Sequence, residues 1–314
     1  MAASVGVAEP SEASVAGAAS EKTEGTGTAP GTTRGSTASP PGYGFVQRGD
    51  TAAVSHRNRR RARAIAALPG VIVFGVVALV LSGAGEPLVG LVAGAAAGAV
   101  LWAVVWLGAS SFVLRSLHAR RADEKDLPSA CNLVEGLCAS MGLRLPAMWV
   151  VEDQVRDALA VGRGPRTAGL VLTSGLADAL DPVAMEGVLA HELTHIKRCD
   201  IAPATMTAAL LVPLAVFLPG TGALVHRVAG RAREFDADRL AVTVTRYPPG
   251  LREALSEMVS GPPPSPRSRL AGSAVARATR WLWTVELPVA ATTSSRVVGE
   301  LDAVPVRIAA LDEW

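Results

Sequence analysis

The chain has 314 residues, of which 49% are hydrophobic and only 18% charged, with a formal net charge of +2. A soluble domain usually carries about 25% charged residues, so a simple soluble globule fits poorly, and so apolar a chain is not uniformly disordered. The three cysteines (Cys131, Cys138, Cys199) are too few and too scattered for a disulfide framework or a cysteine-only metal site. Aromatic residues at 4% leave no stacking platform for nucleic acid, and no nucleic-acid partner is expected.

Residues 1–55 are rich in Ala, Gly, Ser, Thr, Glu and Pro, as in GTGTAPGTTRGSTASPPG. Nothing there repeats an apolar residue at a period of 3.6 or 2, so a disordered tail is expected. Residues 56–115 form a basic flank followed by two apolar runs. The first, between Arg63 and Glu86, has 22 residues without a charge; the second, between Glu86 and Arg115, has 28. A membrane-spanning helix needs about 20 such residues, so two spans joined by a turn near Gly83 to Pro87 are predicted. Trp102 and Trp106 belong toward the far end of the second span. Arg57, Arg59, Arg60, Arg61 and Arg63 precede the spans and Arg115, Arg120 and Arg121 follow them, while the turn carries only Glu86. The positive-inside rule then puts both ends in the cytoplasm, giving a multi-pass protein of the cell membrane.

Residues 116–314 read as a cytoplasmic domain. Leu133, Leu137 and Met141 form one stripe of an amphipathic helix, and PAMWVVED, DALAVGRG and AGLVLTSGL read as short strands. Asp181-Pro182 suits an N-cap and first helical position, opening a helix that runs to about Asp200. RAREFDADRLAVTV is a second amphipathic helix. Between the two lies an apolar stretch, residues 201–229, too short for the roughly 40 residues that two full spans need. It is expected to be a helical hairpin dipping into the bilayer and broken near Pro213 or Pro219-Gly220; the alternative is a hairpin buried inside the domain. A helix from Arg267 to about Leu282 is expected, then an ill-defined tail. The fold class is therefore α+β: mainly helical, with a small β-sheet and an N-terminal transmembrane helical hairpin.

The chemistry is concentrated in His191-Glu192-Leu193-Thr194-His195, an H-E-x-x-H sequence. Residues four apart on a helix share a face, so His191 and His195 can reach one metal ion, and Glu192 beside them can act as general base toward a water. A pentapeptide with two free positions also arises by chance. A metal site of this kind needs a third protein ligand. Glu234 is the candidate, with Asp238 on the same helical face placed to accept a hydrogen bond from a ligating histidine. The bland reading of that helix is an acidic stripe paired with Arg231 and Arg233. Asp236 points away from the Glu234–Asp238 face.

HELTHI followed by REFDAD, and preceded by GLVLTSGLADALDPVAMEGVLA, resembles the HtpX-type and CAAX-prenyl-protease family of integral-membrane zinc metallopeptidases, over roughly residues 95 to 311. The resemblance implies one Zn2+ per chain held by His191, His195 and Glu234, with Glu192 as catalytic base. It also implies supporting roles for Asp238, Arg231 and Asp200. Ala158, Leu159 and Ala160 would be the edge strand offered to an extended substrate. Family members usually begin that strand Asn-Ala-Phe, where this chain has Asp157-Ala158-Leu159, and they often carry a late His-Pro pair. No histidine follows His226 here; Arg307 resembles the arginine that follows that pair and is a candidate to support the oxyanion, the alternative being zinc with a backbone group. The implied function is a membrane endopeptidase acting on membrane-associated or misfolded polypeptides, with the lipid bilayer as its other partner. The alternative is a catalytically weak or inactive scaffold or signalling protein keeping the fold. The intact Glu192 argues against that alternative; the missing histidine argues for it.

Overall fold

The computed structural model describes residues 48–217, 233–268, 270–271, 273–285 and 303–314. The expected tail ends earlier than residue 55: helix α1 runs Arg48–Gly83, carrying the arginine cluster and the first apolar run in one rod. The remainder of the expected tail, residues 1–47, lies outside the described residues. After a turn in which the Glu86 amide donates to the Leu81 carbonyl, α2 runs Pro87–Ser116. Both helices are long and apolar enough to cross a membrane. Their outward faces expose Leu68, Ile72, Leu79, Leu88, Val92 and Val104, which only an apolar solvent accommodates. Trp102 and Trp106 stack with ring centroids 6.2 Å apart.

The two helices meet backbone to backbone. A Cβ at Gly98 would sit 2.7 Å from the Gly70 carbonyl oxygen, and one at Gly94 would sit 2.9 Å from that of Phe74. Without a hydrophobic driving force in lipid, small residues at the contact let dispersion hold the pair together.

The domain beyond α2 is built around a four-stranded sheet of order β1-β2-β4-β3. The strands are β1 (Arg120–Arg121), β2 (Ala147–Val151), β3 (Ala158–Val161) and β4 (Gly169–Thr173). Strands β2 and β4 are parallel; β1 and β3 pair antiparallel on the outside. The two-residue β1 carries no periodic signal and escapes a sequence reading. Met148, Val150, Ala158, Ala160, Leu170 and Leu172 face one core and Val151, Leu159, Val161 and Val171 face the other. Burial on both faces explains why these strands read as continuous apolar runs.

Helix α3 (Pro128–Met141) covers the first face with its Leu137–Met141 stripe and stops at Gly142, which is left-handed at φ 67°. The short α4 (Ser174–Ala179) follows β4 directly. Then comes α5 (Pro182–Arg198), capped as expected: Asp181 Oδ1 accepts from the amides of Val183 and Ala184 at 2.9 and 2.8 Å. It ends at Cys199, which adopts φ 58°, and α6 (Ile201–Phe217) leaves at 89° to it.

Helix α6 differs from the expected hairpin arm. Pro213 lies inside a continuous helix, so no break occurs there; Pro219-Gly220 falls outside the described residues. Its first half is buried in protein, with Ala202 and Met206 packed on Ala62 and Ala66 of α1 and Ala109 of α2. Only its last turn exposes large apolar groups, Leu214, Val216 and Phe217. Helices α7 (Arg233–Thr245) and α8 (Pro248–Ser260) follow; α8 packs on α5 so closely that a Cβ at Gly187 would lie 2.7 Å from the Leu251 amide nitrogen. The helix expected from Arg267 begins only at Ala274: α9 is Ala274–Thr279, capped by Ser273 and extended by a tight turn over Arg280–Leu282. The expected ill-defined tail contains a helix, α10 (Val304–Glu313), which opens with Pro305 in its first turn and buries Arg307 and Leu311.

The α1–α2 contact yields a testable difference. Gly98→Val forces a side chain into the Gly70 carbonyl and is expected to cost about 1–3 kcal/mol of stability, read as a lower melting temperature in detergent. Gly75→Ala, which meets nothing within 4 Å, is expected to melt at or slightly above the parent.

Candidate metal centre

Helix α5 presents His191 and His195 one turn apart, and α7 lays Glu234 across them. Glu234 Oε2 lies 3.1 Å from His191 Nε2 and 3.3 Å from His195 Nε2, and the two Nε2 atoms are 3.2 Å apart. The two imidazoles meet edge to face. Both histidines are buried, and Glu234 is nearly so.

The opposite ring nitrogens decide what these three atoms are. His191 Nδ1 lies 2.7 Å from Asp238 Oδ1, and His195 Nδ1 lies 3.2 Å from Asp200 Oδ2. A carboxylate at Nδ1 fixes the proton there, so each Nε2 turns a lone pair inward. Two lone pairs and a carboxylate oxygen then converge on one point with no donor among them. That arrangement is repulsive unless a proton or a metal cation sits between them, and the donor set fits a divalent metal.

The surrounding charges favour positive charge at this point, which a proton on His195 supplies when no metal is bound. Burial disfavours the His195 imidazolium, yet Glu234 and the hydrogen bond to Asp200 outweigh it and raise the ring to about 9. Burial also works against the Glu234 carboxylate, but Arg233 and the two histidines hold it well below the usual range. Arg233 Nη2 and Nε grip Glu234 Oε1 at 2.7 and 2.8 Å, leaving Oε2 to face the histidines. Arg233 itself lies over the Trp281 ring at 5.9 Å.

Glu192 is 2% exposed, and its Oε1 lies 2.6 Å from the Thr284 hydroxyl. The Thr284 carbonyl accepts from Arg307 Nη1 at 2.7 Å, and Arg307 forks onto both oxygens of Asp238 at 2.6 and 2.8 Å. A buried chain of contacts thus runs from His191 through Asp238, Arg307 and Thr284 to Glu192. This changes the expectation for Arg307. It is seated on Asp238, behind His191 relative to the converging atoms, with its guanidinium engaged by that carboxylate and by the Thr284 carbonyl. Asp236 keeps away from the centre, as expected, and pairs with Arg198 at 3.2 Å. Arg231 lies outside the described residues.

Strand β3 does form the edge of the sheet, but Ala158, Leu159 and Ala160 are buried. The chain's own Trp283–Val285 segment lies along that edge. The Thr284 amide donates to the Ala158 carbonyl at 3.0 Å, and the Val285 amide donates to Asp157 Oδ1 at 3.2 Å. At the other end the Gly162 amide donates to Thr205 Oγ1 of α6. The edge expected to be offered to substrate thus already has its Ala158 carbonyl and the neighbouring Gly162 amide paired within the chain. Asp157 also accepts from the Ala158 amide. Burial pushes its carboxyl well above the usual carboxylate range despite these two bonds, and the charge of Glu192 adds to the effect.

Two contributors escape a reading of the sequence. Thr284 sits in RWLWTVEL, where no spacing marks it. Asn58, whose Nδ2 lies 2.6 Å from Asp200 Oδ1, stands among arginines far from either motif. The helical spacing of small residues Ser55, Asn58, Ala62 and Ala66 is the one signal that could have singled it out.

The helix pair and its ligand set define a metallopeptidase-type centre, and comparison with known proteins agrees. Residues 128–312, more than half of the chain, match the family described as Peptidase family M48; the chain belongs to that family. Among curated relatives, a "Protease HtpX homolog" of Dictyoglomus thermophilum is 29% identical over 182 residues, 48% of this chain and 60% of the relative. One of Paraburkholderia phytofirmans is 29% identical over 178 residues, 48% of this chain and 62% of the relative. One of Tropheryma whipplei is 30% identical over 172 residues, 45% of this chain and 59% of the relative. The chain thus spans about three fifths of the length of these relatives. No solved structure gives a significant match.

The buried Asp157 provides a test. Its folded carboxyl holds its proton to higher pH than the unfolded one, so its contribution to stability is present at low pH and is lost as pH rises. With metal chelated, Asp157→Asn is expected to melt above the parent at pH 8, with the margin closing toward pH 4. A margin independent of pH contradicts the assignment.

Proposed function

We propose that the protein is a zinc-dependent endopeptidase, with one Zn2+ per chain held by His191, His195 and Glu234 and with Glu192 as general base. The observation that carries the reading is the convergence of the three donor atoms at mutual distances of 3.1, 3.2 and 3.3 Å. Tetrahedral zinc with bonds of about 2.0–2.1 Å sets its ligands about 3.3 Å apart, and the N/N/O donor set suits it.

Zinc, when bound, supplies a Lewis acid that makes a water nucleophilic near neutral pH and polarises the scissile carbonyl. Everything else falls to the chain. Glu192 follows His191 directly on α5 and takes the proton of the attacking water, then returns it to the leaving amine. The Thr284 hydroxyl donates to Glu192 and keeps the carboxylate aimed. Asp238 and Asp200 hold the histidines in the tautomer that leaves Nε2 free, and Arg307 and Arg233 neutralise the carboxylates around them.

The substrates proposed are membrane-associated or misfolded polypeptides. An extended chain would add to the β3 edge through backbone hydrogen bonds, which requires the Trp283–Val285 segment to give way. The arginines before α1's apolar run and after α2 support an orientation with the domain on the cytoplasmic face, in a multi-pass protein. The names of the relatives support a protease. The scaffold alternative finds no support in the site, where Glu192 and three converging donor side chains support a catalytic reading.

The decisive experiment is casein cleavage by the full chain in detergent, with chelation and zinc add-back. The parent is expected to lose activity to the chelator and regain it with zinc. Glu192→Gln is expected to keep one zinc per chain and to lose a factor of about 10²–10⁴ in rate. Cleavage at the parental rate by that variant rules out Glu192 as the base.

A further inference from the structure

The metal centre draws on a part of the chain that lies outside the matched family segment. Asn58 belongs to α1, in the polar turns just before its apolar run begins. It is the one buried polar side chain of that helix among the described residues, 6% exposed. Its Nδ2 lies 2.6 Å from Asp200 Oδ1 and 3.2 Å from the Arg198 carbonyl. Both neighbours are acceptors, so the amide can face them only through its NH2 group. The other oxygen of Asp200 lies 3.2 Å from His195 Nδ1 and 3.3 Å from Arg198 Nε.

The contact is part of a built seat. Ser55, Asn58, Arg59, Ala62 and Ala66 recur at helical spacing along one face of α1. The Ser55 hydroxyl and Arg59 Nε approach Cys199 Sγ at 3.2 and 3.4 Å, on the residue where α5 turns into α6. Ala62 and Ala66 are fully buried against Ala202 and Met206 just beyond it. Asp200, the residue after Cys199, is therefore held from three sides: by the turn itself, by His195, and by the membrane-anchor helix. The cavity beside Asn58 and Asp200 offers only about 10 Å³, room for one water at most. Solvent cannot replace the amide freely.

We propose that Asn58 is a positioning residue of the metal centre: by fixing Asp200 it fixes the ring of His195, so that the seating of the anchor helix sets how tightly the metal is held. This rests on the reading of His191, His195 and Glu234 as zinc ligands. Loss of the Asn58 donor leaves a buried carboxylate oxygen short of a partner, and Asp200 turns to recover one at the expense of its aim at His195. Partners behind metal ligands typically change metal affinity by 10–100-fold when removed; Asn58 acts through one more residue, so the lower end applies.

The test is zinc affinity rather than turnover. The full chain in detergent is stripped of metal and titrated with zinc against a chromophoric chelator. Asn58→Leu, which keeps the bulk and removes the donor, is expected to bind one zinc about tenfold more weakly than the parent. Asn58→Asp, which sets a second carboxylate against Asp200, is expected to weaken it further, and Arg57→Gln on the exposed face to leave it unchanged. Melting temperatures of the metal-free variants report folding separately. The same pair is then compared in an Asp200→Ala background, where Asn58→Leu is expected to have no additional effect. Affinity within twofold of the parent for Asn58→Leu overturns the proposal, and so does an equal loss in the Asp200→Ala background, which marks general loosening. A parent that takes up no zinc instead overturns the zinc reading itself.

Discussion

Everything in the domain answers to one electrostatic constraint: three electron-rich atoms, His191 Nε2, His195 Nε2 and Glu234 Oε2, are held together in a buried place. Such a cluster is unstable alone, so its cost is distributed outward. Each ring is fixed through its far nitrogen by a carboxylate, and each carboxylate is fixed by a cation or an amide. Asp238 has Arg307, Asp200 has Arg198 and Asn58, and Glu234 has Arg233. The polar network is largely interior, so its members stabilise one another strongly when complete and destabilise the fold when any one is missing.

The architecture supplies the rigid parts this network needs. Helix α5 sits against the sheet on one side and α8 on the other, so the two histidines have no freedom to separate. The left-handed residue Cys199 ends the helix abruptly and brings Asp200 back under His195, its amide bonded to the His195 carbonyl. The same turn redirects the chain into α6, which packs on the membrane hairpin. One sharp corner thus serves both the metal site and the junction with the anchor.

Much of this was legible in the sequence, and for identifiable reasons. The two long apolar helices are visible because a helix fit to cross lipid carries no charge over that length. The ligands are visible because a helix converts a spacing of four into a shared face. The N-cap at Asp181 is a local signal read locally. What was not legible depends on contacts between distant segments. Arg307 in VPVRIAAL looks like a free positive charge near the end of the chain, and only the packing of α10 shows it committed to Asp238. Thr284 and Asn58 reach the site from 92 residues after Glu192 and 142 residues before Asp200. Proline misled in the other direction: Pro213 predicts a break, but a helix packed on several neighbours carries it without one.

The covered edge of β3 has a consequence for which polypeptides can compete for it. The Trp283–Val285 segment is part of the same chain, so it meets the edge at an effective concentration in the millimolar range typical of short tethers. Were β3 the substrate edge, a peptide dissolved at micromolar concentration would lose that competition on numbers alone. A polypeptide confined to the same membrane, or one presenting many extended segments at once, meets the edge at a comparable local concentration. If β3 receives a substrate strand as proposed, the segment lying on it would act as a threshold on crowding, selecting by proximity and multiplicity before any side chain is read.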